Sequence, residues 1–214
     1  AQRRVAGIHV AAAVFTGLGR DHLDFHRTME AYLDAKLRLF RMLPPDGVGI
    51  VNAEDRHADP FLAACRGHGV RYGLGRGDVR AEGLRLDQTG AEFALETPDG
   101  SEEVRLPFPG RHNVANALAA AATAWALGTP LPEIASRLMT ATLPPGRFVQ
   151  FPLRSGATAV VDYAHNPPAL AEILSSLRPH ARRLVVVFGA NGEADPGKRP
   201  LMGEIAGRLA DLSI

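Results

Sequence analysis

The chain has 214 residues and 46% of them are hydrophobic, which is enough for one large domain or two small ones. Its formal net charge of +1 gives no indication of nucleic acid or an anionic membrane surface as a partner. A single cysteine excludes an intrachain disulfide framework and is typical of a reducing compartment such as the cytoplasm, and no apolar segment is long enough to span a membrane.

The first strong signal is an apolar run over Val10–Phe15, which predicts a buried parallel strand. A polar segment follows it and contains Asp21, His22, Asp24 and His26. Carboxylates and imidazoles at the carboxyl end of a strand lie where open α/β sheets bind ligands. His22 is therefore a candidate metal ligand, and an exposed or capping loop histidine is the alternative.

The next segment predicts an amphipathic helix with Thr28 as its N-cap. Its apolar residues recur at helical spacing, at Met29, Leu33, Leu37 and Phe40. Lys36 falls inside this apolar stripe, where its ammonium group must reach water, pair with an anion or lose its charge. Because a neutral amine can react with carbon dioxide, Lys36 is either a snorkelling side chain or a reactive group.

Strand and helix signals then alternate, which predicts a parallel wound sheet. The predicted elements are a strand at Val48–Val51, a helix at Pro60–Arg66 and a strand at Val70–Tyr72. Asn52 and Asp55, which lie between the first two, are expected only to cap the turn and the helix. Between Gly73 and Pro109 the pattern changes to an antiparallel β excursion over Val79–Leu86, Ala91–Glu96 and Glu103–Leu106, with a turn at Thr97–Gly100.

An alanine-rich helix is predicted over Gly110–Gly128, and a shorter helix over Leu131–Met139. Asn113 and Asn116 are three residues apart, so they share a face near the start of the first helix. Capping by Asn113 and solvation of Asn116 are the alternative to a functional role. The Pro-Pro-Gly sequence at 144–146 is the strongest linker signal, and we place the domain boundary between residues 145 and 146.

After the linker the strand–helix pattern restarts, as in the first half of a Rossmann-like domain. The predicted elements are strands at Ala157–Val161 and Leu184–Phe188 and helices at Pro168–Leu177 and Lys198–Leu209. The predicted fold is therefore α/β. Residues 1–145 form a mostly parallel wound sheet with an antiparallel β excursion, and residues 146–214 form the first part of a Rossmann-like domain.

Four motifs, in order, resemble the Mur ligase family: FTGLGRDHLDFHRTMEAYLDAKLRLF, GRHNVAN, DYAHNPPAL and GANGEADPGKRPLM. The first most resembles the ligases that add the third amino acid of the peptidoglycan precursor. Folylpoly-γ-glutamate and cyanophycin synthetases share the architecture but lack the full DHLD run. A non-catalytic relative that binds nucleotide or a protein partner is the alternative from another class.

The resemblance implies an ATP- and Mg²⁺-dependent amide ligase of peptidoglycan and cell wall synthesis. Such an enzyme adds a diamino acid, meso-diaminopimelate or L-lysine, to the UDP-MurNAc-dipeptide UDP-MurNAc-L-Ala-D-Glu through an acyl phosphate. We expect a monomer.

The resemblance also assigns roles to individual residues, with His22, Lys36 and Arg147 as the catalytic residues. His22 and a carbamylated Lys36 would hold magnesium, because a carbamate is an oxygen ligand suited to this ion. For ATP, the resemblance assigns Arg147 and His165 to the phosphates, Asn113 and Asn116 to the adenine, and Asp162 to the ribose. For the substrates it assigns Gln2, Arg4, Lys198 and Arg199.

The chain departs from the family pattern at four positions. Gly17 stands where the family usually has Asn, and Asn191, Glu193 and Ala194 replace Gly, Asp and Arg. The chain also begins without Met and contains no GxxxxGK[ST] phosphate loop. We therefore expect a segment of a longer ligase that is inactive by itself.

Overall fold

The computed structural model describes residues 5, 7–20, 22–87, 89–190 and 195–214. Contacts divide the chain into two compact units. Unit 1 comprises Ala1–Leu18 and His26–Ala141, and unit 2 comprises Gly19–Phe25 and Thr142–Ile214. The domain boundary expected between residues 145 and 146 stays a prediction.

Unit 1 is built on a six-stranded sheet whose strands lie side by side in chain order. The strands are β1 (Ala12–Phe15), β2 (Val48–Asn52), β3 (His68–Gly73), β4 (Val79–Leu86), β5 (Ala91–Thr97) and β6 (Gly100–Leu106). Strands β1 to β4 pair in parallel, whereas β4, β5 and β6 pair antiparallel. This topology confirms the predicted wound sheet with its antiparallel excursion.

Helices cover both faces of this sheet. Successive residues of a strand point to opposite faces, and Ile50 and Val51 of β2 are both fully buried, each in a different core cluster. Phe15 stacks on Phe61 with 3.8 Å between ring centroids on one face, and Leu118 lies in the cluster on the other. The helices of unit 1 are α2 (Met29–Arg41), α3 (Ala58–Ala64), α4 (Arg111–Ala126) and α5 (Leu131–Met139), and the short helix α1 (Leu23–His26) lies at the passage from unit 2 back to unit 1 along the chain.

The tip of the β5–β6 hairpin is tied to the end of α4. Trp125 Nε1 donates a hydrogen bond to Asp99 Oδ2 at 2.6 Å. Thr97 pairs with Gly100 across the turn, as predicted, and its hydroxyl accepts the Asp99 N–H at 3.2 Å. The side chain of Trp125 therefore links the alanine-rich helix to the antiparallel excursion.

Unit 2 has two small sheets and two packed helices. Its elements are β7 (Val149–Pro152), β8 (Thr158–Val161), α6 (Pro167–Leu177), a 3₁₀ turn at Arg178–His180, β9 (Val185–Val186), α7 (Lys198–Leu209) and β10 (Leu212–Ser213). Strand β10 pairs in parallel with β9, and β7 pairs antiparallel with β8. Asn166 caps α6 by accepting the Ala169 N–H at 3.0 Å, and prolines occupy the first turn of that helix.

An ion pair anchors the segment Gly19–Phe25 within unit 2. Arg20 donates from Nε and Nη2 to the two carboxylate oxygens of Asp195, at 3.1 and 3.2 Å. Asp195 is only 4% exposed, and its carbonyl accepts the Lys198 N–H at the start of α7 at 3.0 Å. Because a bidentate pair fixes orientation as well as distance, the segment that carries His22 is attached to the start of α7. Among the described residues no helix is both long and apolar enough to cross a membrane.

Candidate functional site

The loop that follows β1 is held by polar side chains at the end of β2 and just after it. Asn52 Nδ2 donates to the Thr16 carbonyl at 3.3 Å, and the Leu18 N–H donates to Asp55 Oδ2 at 2.9 Å. The other oxygen, Asp55 Oδ1, accepts the His57 N–H at 2.8 Å and lies 2.9 Å from His57 Nδ1. Burial raises the pKa of Asp55, but the hydrogen bonds from His57 and Leu18 outweigh it and hold that pKa below its ordinary value.

Lys36 lies on α2, whose first turn is capped as predicted. The Thr28 hydroxyl accepts the Ala31 N–H at 3.2 Å. The Lys36 side chain is half-buried, with its Nζ 5.1 Å from the centroid of the Tyr32 ring one turn earlier. An ammonium group at this distance gains a cation–π contact, and the aliphatic stem remains in the apolar stripe.

His22 is exposed and has a left-handed backbone conformation with φ of +54°. Its carbonyl accepts the Phe25 N–H at 3.2 Å, which places it directly before α1. Left-handed residues other than glycine are uncommon and cost about 1–3 kcal/mol, and they cluster at functional sites. The backbone strain at His22 is therefore an independent reason to expect a function there.

The two asparagines of α4 have different surroundings. Asn113 is 5% exposed, and its Nδ2 donates to the Pro109 carbonyl at 2.6 Å, just before the helix. Asn116 is exposed to solvent. The helix itself is capped by Gly110 without a side-chain hydrogen bond. Their expected contact with adenine stays a prediction.

In unit 2 the structure brings Arg147 and His165 together around one aromatic ring. The guanidinium carbon of Arg147 lies 4.9 Å from the centroid of the Tyr163 ring. The His165 ring lies 4.7 Å from the same ring, and its Nδ1 is 2.9 Å from the Tyr163 carbonyl. Arg147 and His165 are exposed, so both can meet an anionic ligand. We call the group Arg147, Asp162, Tyr163, His165 and Lys198 the DYAHN cluster.

The Asp162 carboxylate joins the segment before β7 to the segment after β8 through hydrogen bonds from backbone N–H groups. Its Oδ2 accepts the Phe148 N–H at 3.0 Å, directly after Arg147, and its Oδ1 accepts the Ala164 N–H at 2.8 Å. The carboxylate therefore fixes the backbone beside both Arg147 and His165. No sequence pattern indicates this second role, because the Phe148 contact joins residues 14 positions apart.

Lys198 completes the cluster from the first turn of α7. It is 3% exposed, and its Nζ donates to the His165 carbonyl at 3.1 Å. Arg199, the next residue, is exposed. Gln2 and Arg4, the residues expected to contact the UDP-MurNAc-dipeptide, lie outside the described residues. The substrate roles of all four stay predictions.

A metal site is not visible as a cluster of acidic or imidazole groups. The described residues contain no group of three or more His, Cys, Asp or Glu side chains that could hold a metal ion. Lys36 belongs to unit 1 and His22 to unit 2, so the predicted pair of ligands stays a prediction.

Sequence reasoning missed two pairs that position the candidate residues. Asp55 was expected only to cap, but it binds a backbone N–H from 37 residues earlier in the chain. Arg20 and Asp195 are 175 residues apart. No periodic pattern marks such contacts, although Arg20 lies next to the polar run that contains His22.

Comparison with known proteins gives matches over most of the chain. The Mur ligase middle domain matches residues 1–124, and the Mur ligase glutamate ligase domain matches residues 146–214. The UDP-N-acetylmuramoyl-L-alanyl-D-glutamate–2,6-diaminopimelate ligase of Bradyrhizobium diazoefficiens is 42% identical over 98% of the chain and 45% of that protein. The ligase of the same name from Rhizobium meliloti is 44% identical over 100% of the chain and 45% of that protein.

A solved structure supports the same relationship. The crystal structure of MurF from Acinetobacter baumannii matches with a TM-score of 0.84 and 32% identity, over 95% of this chain and 45% of that one. The chain thus spans less than half the length of the relatives that it matches.

Proposed function

We propose that this chain, which belongs to the Mur ligase family, is part of an ATP-dependent ligase that joins 2,6-diaminopimelate to UDP-MurNAc-L-Ala-D-Glu. The choice of amino acid rests on the relatives at 42% and 44% identity, which carry the name of diaminopimelate ligases. We also propose that the whole protein is a cytoplasmic monomer that acts in peptidoglycan synthesis.

The reaction needs an activated carboxylate. The γ-phosphoryl group of ATP passes to the D-glutamate carboxylate, which gives an acyl phosphate and ADP. An amine of the diamino acid then attacks the carbonyl carbon, inorganic phosphate leaves, and the new amide forms as the amine loses a proton. ATP and the D-glutamate carboxylate are both anionic, so the protein must neutralise and align negative charge.

The observation that carries this proposal is the DYAHN cluster. Arg147 presents parallel N–H donors that match two oxygens of a phosphoryl group, and Tyr163 holds its planar guanidinium in place. His165, whose ring also contacts the Tyr163 ring, adds a second donor for phosphate. Asp162 keeps carboxylate lone pairs that can accept from the ribose hydroxyls while it also fixes the backbone.

Asn113 and Asn116 support this proposal less directly. They lie near the start of α4, and we assign the adenine to them. The exposed Asn116 can hydrogen bond a base edge without rearrangement, whereas the Asn113 amide already donates to Pro109.

Magnesium fits the chemistry of Lys36 and His22. Lys36 is half-buried beside the Tyr32 ring, and a carbamate formed on its amine would present oxygen ligands, which Mg²⁺ prefers. His22 would supply one imidazole nitrogen from its strained loop. When bound, the ion would draw charge from the phosphate oxygens. Lys36 and His22 would hold it, and Arg147 would balance the charge that remains on the transferred group.

For the substrates, we propose that the exposed Arg199 binds a carboxylate of the incoming amino acid. The buried Lys198 supports it by fixing the start of α7 against the His165 carbonyl. Gln2 and Arg4 are assigned to the UDP-MurNAc-dipeptide. Gly17 lacks the side chain of the Asn usual in the family, and Asn191, Glu193 and Ala194 lie outside the described residues.

The first experiment measures amide formation by the full-length protein with ATP, the dipeptide substrate and diaminopimelate, with the tripeptide product detected by mass spectrometry. Arg147→Ala should lower kcat about 1,000-fold, as for loss of a cationic group that stabilises transferred phosphate. Arg154→Ala is the matched control, because this arginine is also exposed in unit 2. Equal rates for the two variants would contradict the role of Arg147.

A second experiment tests Lys36. Lys36→Ala should abolish activity, and a bicarbonate-free preparation of the wild type should lose activity and regain it when carbon dioxide is added. ATP binding without any amide product in the wild type would instead favour a non-catalytic nucleotide-binding relative. The 214 residues by themselves, without a GxxxxGK[ST] loop, should not turn over ATP.

A further inference from the structure

Gly17 lies where a side chain would press against the Asp55 carboxylate. Its φ is +156°, and a Cβ built there would lie 3.3 Å from Asp55 Oδ2. That separation is tighter than most real Cβ contacts, and the backbone conformation is one that residues with side chains rarely adopt. A side chain at this position would therefore require the Asp55 carboxylate, which lies 2.9 Å from the Leu18 backbone nitrogen, to shift by a few tenths of an ångström.

Two backbone N–H groups and one imidazole nitrogen surround the Asp55 carboxylate in this place. Its side chain is 16% exposed, and beyond the Leu18 N–H it accepts the His57 N–H and lies within hydrogen-bond distance of His57 Nδ1. Asn52 adds a bond to the Thr16 carbonyl two residues before Leu18. The segment 16–18 is thus fixed to the sheet of unit 1 by its backbone donors and acceptors, and the Leu18 side chain also packs against a core cluster of unit 1.

Leu18 is also the last residue of unit 1 before the chain passes to unit 2 at Gly19, and His22 follows four residues later. We propose that Asp55 is a positioning residue. With Gly17 it forms a clamp that fixes the residue from which the His22 segment departs. The proposal deepens the proposed function, on which it rests for the magnesium role of His22. Residues that orient metal ligands typically change metal affinity 10–100-fold when they are replaced.

The test uses the full-length protein and the Asp55→Asn variant, which keeps the size of the side chain but faces a backbone N–H with an amide group. Hydrogen exchange at the Leu18 amide should become at least about tenfold faster, because the asparagine keeps one acceptor oxygen for the two backbone N–H groups of Leu18 and His57 and turns its NH2 group toward the other. Binding of Mn²⁺, which prefers the same ligands as Mg²⁺, is measured by electron paramagnetic resonance with ADP present. The Mn²⁺ dissociation constant should rise about tenfold.

Two further variants separate the clamp from a general loss of structure. Gly17→Ala perturbs the clamp from the other side and should give the same two changes. In the double variant the changes should not add, since both substitutions break one interaction. Gly128→Ala is the glycine control, with φ of +88° and nothing within 4 Å of the added carbon. Asp59→Asn is the carboxylate control, because that side chain is 81% exposed.

Different results would overturn the clamp and the proposed magnesium site. Leu18 exchange and Mn²⁺ affinity at wild-type levels in a folded Asp55→Asn protein would overturn the clamp. An absence of Mn²⁺ binding in the wild type would overturn the proposed magnesium site. If Asp55→Asn does not fold, the same two measurements on Gly17→Ala decide the question.

Discussion

Replacement of Asp162 tests how far one carboxylate holds the DYAHN cluster together. Asp162→Ala removes the acceptor of the Phe148 N–H at 3.0 Å and of the Ala164 N–H at 2.8 Å. Each buried N–H that loses its partner costs about 1–3 kcal/mol. Since Asp162 is only half-buried, water compensates in part, and we expect a total loss of about 2 kcal/mol in unfolding free energy. Asp162→Asn keeps one acceptor oxygen, so its loss of unfolding free energy should be about half that of Asp162→Ala.

The assay is urea unfolding of the full-length variants followed by circular dichroism, together with the dissociation constant for ATP. Glu204→Ala is the control, because that residue is exposed on α7. Both Asp162 variants should bind ATP more weakly, in the order of their stability losses. An unfolding midpoint and slope of Asp162→Ala identical to the wild type would refute this reasoning. If Asp162→Asn binds ATP more weakly but unfolds at the wild-type urea concentration, contact with the ribose would be the only role of Asp162.

Three other predictions concern stability. Thr28→Ala removes the cap at the start of α2, where the hydroxyl accepts a backbone N–H at 3.2 Å, and should lower the unfolding free energy by about 1 kcal/mol in a urea titration. An unchanged unfolding free energy would contradict the role of Thr28 as a cap. Leu118→Ala, at a fully buried position in unit 1, should cost about 3 kcal/mol, and a loss below about 1 kcal/mol would mean that the site collapses around the cavity. Hydrogen bonds from Thr89 lower the pKa of Asp87 from 3.8 to about 2, so its contribution to stability is complete above the higher value and is lost as the pH falls toward the lower one. The stability difference between wild type and Asp87→Asn should therefore shrink between pH 4 and pH 2, and a constant difference in acid unfolding would contradict this.

Local sequence patterns predicted the elements well where a regular period or a turn signal was present. Strand Val79–Leu86 and helices Leu131–Met139 and Lys198–Leu209 have the predicted bounds. Strand Val149–Pro152 was missed because it is short, ends in proline and has three exposed residues, so no buried alternation marks it. The strand predicted over Leu184–Phe188 is reduced to Val185–Val186.

The candidate site was predictable only in part, because long-range contacts have no periodic signature. The motifs identified Arg147, Asp162 and His165, and the structure places them in one cluster. They could not indicate that Asp162 also binds the Phe148 backbone, or that Asp55 reaches Leu18, since such contacts depend on how distant strands end beside each other. The strain at His22 was likewise invisible in the sequence, because histidine does not require a left-handed backbone.

The hydrogen bond between Trp125 and Asp99 has a practical consequence. Trp125 is the sole tryptophan of the 214 residues, and its indole joins α4 to the tip of the β5–β6 hairpin. Tryptophan fluorescence of these residues, excited selectively over tyrosine, therefore reports the opening of unit 1. In a fragment with this sequence, the unfolding of unit 1 can therefore be followed without an added fluorophore.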